Sequence, residues 1–167
     1  MTASDCLLGI DPGTATTGFG LIREGKNGIE AVDYGVISTP PKIPMEQRLL
    51  SIYQDLVKII QLHRPKSCAV EKLFFRRNVT TAISVGQSRG VVLLACAQYN
   101  IEVAEYTPNE IKQAVAGYGG ADKKQVQLMV KAILSLTDIP KPDDAADALA
   151  VSICHLHSSQ YKNLLSA

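Results

Sequence analysis

Residues 6–10, CLLGI, are apolar throughout and never alternate with polar positions. A strand of that kind is buried on both faces, so the sheet that contains it must carry helices above and below. Asp11 follows at once, and Pro12-Gly13 ends the run. The chain is thereby committed to a layered α/β arrangement with a carboxylate at the edge of a central strand. An anion there is costly unless a cation meets it. The pattern returns at 67–71, SCAVE, and that strand also ends in an acid, Glu71.

Around these two strands the hydrophobic period changes repeatedly. Residues 17–23 (TGFGLIR) and 29–38 (IEAVDYGVIS) read as two further strands, with GKNG as the hairpin turn between them. The opening is therefore a three-stranded antiparallel meander. TPPKIP breaks the chain, and Met45, Leu49, Ile52, Leu56, Ile59 or Ile60 and Leu62 or His63 then share one helical face over 45–64, stopped by Pro65. A second long helix, rich in Ala, Val, Ser and Gly, is expected over 79–99, and IEVAEY at 101–106 is a fifth strand. Thr107, with Pro108 behind it and Glu110 three residues on, starts a helix. Asp122 caps another, which turns Val126, Met129, Val130, Ile133 and Leu134 inward. PKPDD launches the last helix, after which only the final residues look loose. At 167 residues and 46% hydrophobic content, residues 1–167 suit one domain. Its expected class is α/β: a mixed five-stranded sheet, three strands antiparallel and two parallel, flanked by helices.

Several function classes lose ground at once. No uninterrupted apolar run approaches a membrane span, and the first residues lack the basic start of a secretory signal, so a cytoplasmic location and no membrane partner are expected. Cys6, Cys68, Cys96 and Cys154 are scattered with no C-x-x-C pair, which favours buried reduced thiols over a disulfide framework or a zinc site. His63, His155 and His157 stand alone and are expected at the surface or at helix caps. A net charge of +1 argues against a protein that holds nucleic acid by bulk positive charge. It does not argue against an acidic centre that masks a local basic surface.

Four acids stand out by position. Asp11 and Glu71 end two strands, while Asp144 and Asp147 lie three apart at the start of the last helix and share a face. Each has an ordinary explanation when taken singly: an Asx turn for Asp11, an ion pair for Glu71, helix N-terminal acids for the other two. If the two strands are neighbours, all four meet. Carboxylates at close range raise one another's pKa, and hard divalent cations relieve the repulsion. An all-oxygen set with no His or Cys suits Mg²⁺ or Mn²⁺ rather than zinc. Two such ions about 4 Å apart can activate a water and stabilise a leaving oxygen in phosphodiester hydrolysis.

GIDPGTATTGFGLI, AVEKLFF, VGQSRGVVLLA, YTPNEIKQAVAGYGGADKKQVQ and DDAADALAVSICHLH resemble, in order, the signature blocks of the RuvC family of Holliday-junction resolvases. The resemblance covers nearly the whole chain. It implies an RNase H-like fold, a homodimer, and Mg²⁺-dependent cutting of four-way DNA junctions by paired symmetric nicks, with Mn²⁺ as a substitute metal. It implies catalytic and metal-holding roles for Asp11, Glu71, Asp144 and Asp147. Asp143 adjoins Asp144, and either could face the metals with Asp147; the match of DAADALA favours Asp144 and leaves Asp143 to cap the helix. RuvA and RuvB, the branch-migration proteins, are implied as partners.

Basic and aromatic residues interleave directly after Glu71, in EKLFFRRN. Such a loop suits DNA: at least one of Phe74 and Phe75 against bases and Arg76 and Arg77 on phosphates, the alternative for either aromatic being an anchor to the core. The resemblance assigns Phe74 the junction-inserting position, and Lys112 and Lys123 phosphate contacts beside the metal site. Lys124 is expected at the surface. Arg89 is either a phosphate contact or a member of an interface ion pair. Small residues in the helix at 79–99 (Ala82, Ser84, Gly86, Ser88, Gly90) suit close packing between two subunits, while Val91, Leu93 and Leu94 suit burial against its own sheet. Two alternatives stand beside the nuclease. GIDPGTATTG also resembles the first phosphate loop of actin-like and sugar-kinase ATPases, although this chain shows no second copy of that domain; the other is a non-catalytic junction-binding protein.

Overall fold

The computed structural model describes residues 5–72 and 79–166. Strands β1 (Leu7–Asp11), β2 (Thr16–Gly25) and β3 (Gly28–Ser38) lead into helix α1 (Met45–His63). Then follow β4 (Ser67–Glu71), α2 (Val79–Gln98), β5 (Glu102–Tyr106), α3 (Pro108–Ala116), α4 (Lys123–Ile133) and α5 (Asp143–Ser166). The sheet order is β3-β2-β1-β4-β5. β1 pairs antiparallel with β2 and β2 with β3, whereas β4 runs parallel to both β1 and β5. This is the mixed five-stranded sheet that the sequence implies, with β1 at its centre.

The period of two divides the central strands between two cores. Leu8 and Ile10 of β1, with Cys68 and Val70 of β4, face Ile52, Leu56 and Ile60 of α1 and Val92, Ala95 and Cys96 of α2. Leu7 and Ala69 point the other way, toward Leu149 and Ile153 of α5 and toward α3 and α4. Between Ile59 and Ile60, and between Leu62 and His63, the α1 face resolves to Ile60 and His63; Leu62 is exposed. All four cysteines are buried thiols outside any disulfide.

On its sheet face α5 lies almost on the backbone. A Cβ at Gly9 would come within 3 Å of Ala148 and Ser152 backbone atoms, one at Gly18 within 3 Å of the Asp144 carbonyl, and one at Gly20 within 3 Å of the Leu149 backbone. The glycines of GIDPGTATTGFG thus make the bed for a helix, which leaves the phosphate-loop reading without support.

Several local expectations change. Asp143 is the first residue of α5, not its cap, and its carboxylate points to α4. Met129 is 39% exposed because the inward stripe of α4 needs only Val126, Val130 and Leu134. Helix α5 runs to Ser166. His155 is buried, not superficial: its Nε2 lies 2.8 Å from Ser67 Oγ and its Nδ1 2.9 Å from Tyr106 OH. Arg89 pairs with Glu105 of the same chain, a partner the sequence did not point to. Leu94 is 62% exposed, on the outer side of α2 with Ile83 at 57% and Val79 at 74%. That helix is long and apolar enough to cross a membrane by length and composition, although its inner face packs on α1 and β5.

Candidate active site

The site follows from register. Ile10 pairs with Val70 across β1 and β4, so Asp11 and Glu71 leave the same edge of the sheet as the next residue of each strand. Both sit in phase with the side chains that face α5, since Leu7, Gly9 and Asp11 alternate to one side, as do Ser67, Ala69 and Glu71. Helix α5 then brings Asp144 over Gly18, the residue paired with Asp11 in β2. Ala145, Ala146, Ala148 and Ala150 keep this part of the helix slender enough to lie flat.

Asp11, Asp144 and Asp147 each offer one carboxylate oxygen, all within 4.8 Å of one another. Glu71 joins Asp11 and Asp147 in lining a cavity of about 240 Å³, closed by Pro108, Ile111, Val126, Ala150 and Val151 and rimmed by Lys112 and Lys123. Of those apolar walls the sequence pointed only to Val126, as an inward residue of α4; Pro108, Ile111, Ala150 and Val151 were not singled out for the site. Arg76, Arg77, Phe74 and Phe75 lie outside the described residues, so their part in the site rests on the sequence alone.

The electrostatics are those of buried carboxylates at close range. Burial, joined by the charges of Asp147, Asp144 and Glu71, raises the Asp11 carboxyl to about 8. Burial also raises Glu71, with Asp147 pushing the same way and Lys112 opposing. Asp147 is raised by burial while Lys123 pulls it down. Lys123 Nζ lies 3.6 Å from Asp147 Oδ2 and 3.2 Å from Asp143 Oδ2. The two ammonium groups of Lys112 and Lys123 on the rim do not offset the carboxylates of Asp11, Glu71, Asp144 and Asp147. The donor set, hard oxygens converging in a cleft, fits a divalent cation.

The lysines are fixed by well-formed helix starts. Thr107 Oγ1 accepts from the Glu110 amide at 3.2 Å while the Glu110 carboxylate accepts from the Thr107 amide at 2.7 Å, a capping box that sets α3 and with it Lys112. Asp122 and Gln125 form the same reciprocal pair at α4, where Lys123 is the first helical residue. On the opposite side of the cleft floor, the Tyr106 carbonyl accepts from the Lys72 amide at 2.8 Å, so pairing of β4 with β5 continues just past Glu71.

Comparison with known proteins agrees with this geometry. A family model described as crossover junction endodeoxyribonuclease RuvC matches residues 7–155. The RuvC of Syntrophomonas wolfei is 55% identical over 161 residues, covering 96% of this chain and 94% of that protein. The RuvC of Desulfitobacterium hafniense is 58% identical over 157 residues, covering 94% and 95%. Among solved structures, T. thermophilus RuvC in complex with a Holliday junction substrate superposes with a TM-score of 0.89 at 35% identity, covering 94% of this chain and 96% of that one. A yeast mitochondrial Holliday junction resolvase, at 10% identity and a TM-score of 0.68, shares the fold. With the matched model spanning most of its length and relatives above half identity, this chain belongs to the RuvC family of crossover junction endodeoxyribonucleases.

Proposed function

We propose that this protein resolves four-way DNA junctions as a homodimer, making paired symmetric nicks by Mg²⁺-dependent phosphodiester hydrolysis. The observation that carries the reading is the convergence of Asp11, Asp144 and Asp147 on one point, with Glu71 in the same cleft. The Asp11 carboxyl, raised to about 8 by burial and by the charges around it, is one that a bound cation would stabilise as the anion. Bound there, two Mg²⁺ ions would activate a water and stabilise the leaving oxygen. Asp11, Glu71, Asp144 and Asp147 are the residues that would hold them. Lys112 and Lys123, on the rim, hold the phosphates flanking the scissile bond. Phe74 stacks on or between bases at the branch point, and Arg76 and Arg77 hold backbone phosphates. Junctions would be delivered by RuvA and RuvB, as the family resemblance implies.

A second copy follows from the substrate and from α2. Resolution needs two cuts in strands of like polarity, and a twofold dimer supplies two equivalent sites. Val79, Ile83, Gly90 and Leu94 fall on one outward stripe of α2, and a Cβ at Gly90 would meet nothing within 4 Å. A small residue flanked by apolar ones lets a second α2 approach closely.

The test is incubation of a labelled four-way junction with purified protein and Mg²⁺. Expected is symmetric nicking that leaves ligatable 5′-phosphate and 3′-hydroxyl ends, lost in Asp11→Asn while junction binding persists. A junction shifted on a gel yet uncut with either Mg²⁺ or Mn²⁺ would leave the non-catalytic binding protein instead.

A further inference from the structure

Lys123 stands where a lysine is not expected. It is the first residue of α4, at the positive end of the helix dipole, where a cation is disfavoured. What holds it lies on α5. Asp143 Oδ2 is 3.2 Å from the ammonium and Asp147 Oδ2 is 3.6 Å away. The other oxygen of Asp143 accepts a hydrogen bond from Gln127 Nε2 at 3.1 Å. Gln127 is one turn beyond Lys123 on α4, so that helix supplies both the lysine and the group that orients the lysine's carboxylate. The first turn of α4 is itself pinned, since Tyr118 OH donates to Gln125 Oε1 at 2.7 Å behind the capping box.

The two carboxylates differ in one respect that matters. Asp147 belongs to the convergent acid cluster, and Asp143 does not. A divalent cation that takes Asp147 repels an ammonium sharing that carboxylate. A lysine held by Asp147 alone would be expelled at the moment the site became competent. Asp143 gives it a second anchor outside the cluster.

We propose that Asp143, oriented by Gln127, is a positioning residue that keeps the Lys123 ammonium at the rim of the cleft when Asp147 is engaged by a cation. This rests on the nuclease reading for its consequence, though not for its geometry. It also replaces helix capping and metal ligation as the role of Asp143.

Two measurements decide it. The first is a cycle of Asp143→Ala, Lys123→Met and the double variant, scored by single-turnover junction cleavage in saturating Mg²⁺. Removing an exposed carboxylate partner should slow cleavage roughly two- to fivefold. In the Lys123→Met background the same change should do nothing. Equal slowing in both backgrounds would overturn the proposal. The second needs no catalysis: the side-chain ammonium resonance of Lys123 in ¹⁵N-labelled protein, assigned by its loss in Lys123→Met and followed as CaCl₂ is added. It should persist in saturating Ca²⁺ with Asp143 present and broaden away in Asp143→Ala, with Asp143→Glu recovering it. A resonance indifferent to Asp143 would overturn the proposal whatever the cleavage assay shows. Failure of the unaltered protein to cut any junction would instead remove the nuclease reading and leave the resonance to decide the anchor.

Discussion

The two faces of the sheet are packed by opposite means. Toward α1 and α2 the filling is branched and bulky: Leu8, Ile10, Leu21, Ile52, Leu56 and Ile60 interdigitate, with the helices held off by their side chains. Toward α5 the sheet offers Gly9, Gly18 and Gly20, and the helix answers with alanines, so backbone rests nearly on backbone. Side-chain packing can relax when one methyl group changes, because neighbours shift rotamers. A helix seated on a strand has no such freedom. The acids of α5 are therefore positioned by main chain against main chain, while the other face leaves α2 with an outer stripe for something else to cover.

The largest effect should come from filling that seat. Gly9→Ala adds one methyl group against the Ala148 and Ser152 backbone and should cost about 3 kcal/mol or more by urea unfolding, with loss of junction cleavage as Asp144 and Asp147 lift. If the protein tolerates Gly9→Ala as it would a surface change, the seat is not rigid and the contrast between the faces fails.

Acidity should separate the faces next. Asp11 has its carboxyl raised in the folded protein, so the native state binds more protons than the unfolded chain and stability falls as pH rises from about 4 toward about 8. Glu71 and Asp147 act in the same direction. Without divalent cations, melting temperature should drop across that window by the equivalent of a few kcal/mol. Added Mg²⁺ should restore it, and Asp11→Asn should flatten most of the slope. A profile that rises with pH in that range would contradict the charge assignment.

A smaller loss is expected at His155, which joins β4, β5 and α5. His155→Leu takes a hydrogen-bond partner from each of the Ser67 and Tyr106 hydroxyls and should cost about 1–3 kcal/mol. On the bulky face, Ile52→Val removes one methyl group and should cost only about 1 kcal/mol, with cleavage unchanged. Leu94→Glu should barely move subunit stability, within about 0.5 kcal/mol, yet shift sedimentation from dimer to monomer. A dimer that survives Leu94→Glu would place the subunit contact elsewhere.

Much of this was legible before any coordinates. The non-alternating CLLGI and SCAVE could only be strands covered on both faces, and their terminal acids were visible for that reason. The capping pairs Thr107–Glu110 and Asp122–Gln125 are local chemistry, and they formed as their spacing implies. What local pattern could not show was which neighbour claims a side chain that several environments would accept. His155, Asp143, Arg89 and Leu94 are of that kind. Each sits in a helix whose sequence fits either side, and each was misplaced or left open until β4, α4, β5 and the outer surface took their positions around it.

The amino-acid order alone determined the strands, the helices and the acids at their ends, because periodicity and capping act over a few residues; the kinship of the chain lay in the resemblance of its ordered blocks. Only the tertiary structure decided that Asp11, Asp144 and Asp147 converge, that three glycines serve as a seat for α5, and that Lys123 is shared between two carboxylates. Those are meetings of segments more than a hundred residues apart or on separate helices. They depend on register and on how closely backbones approach, which no short stretch of sequence encodes.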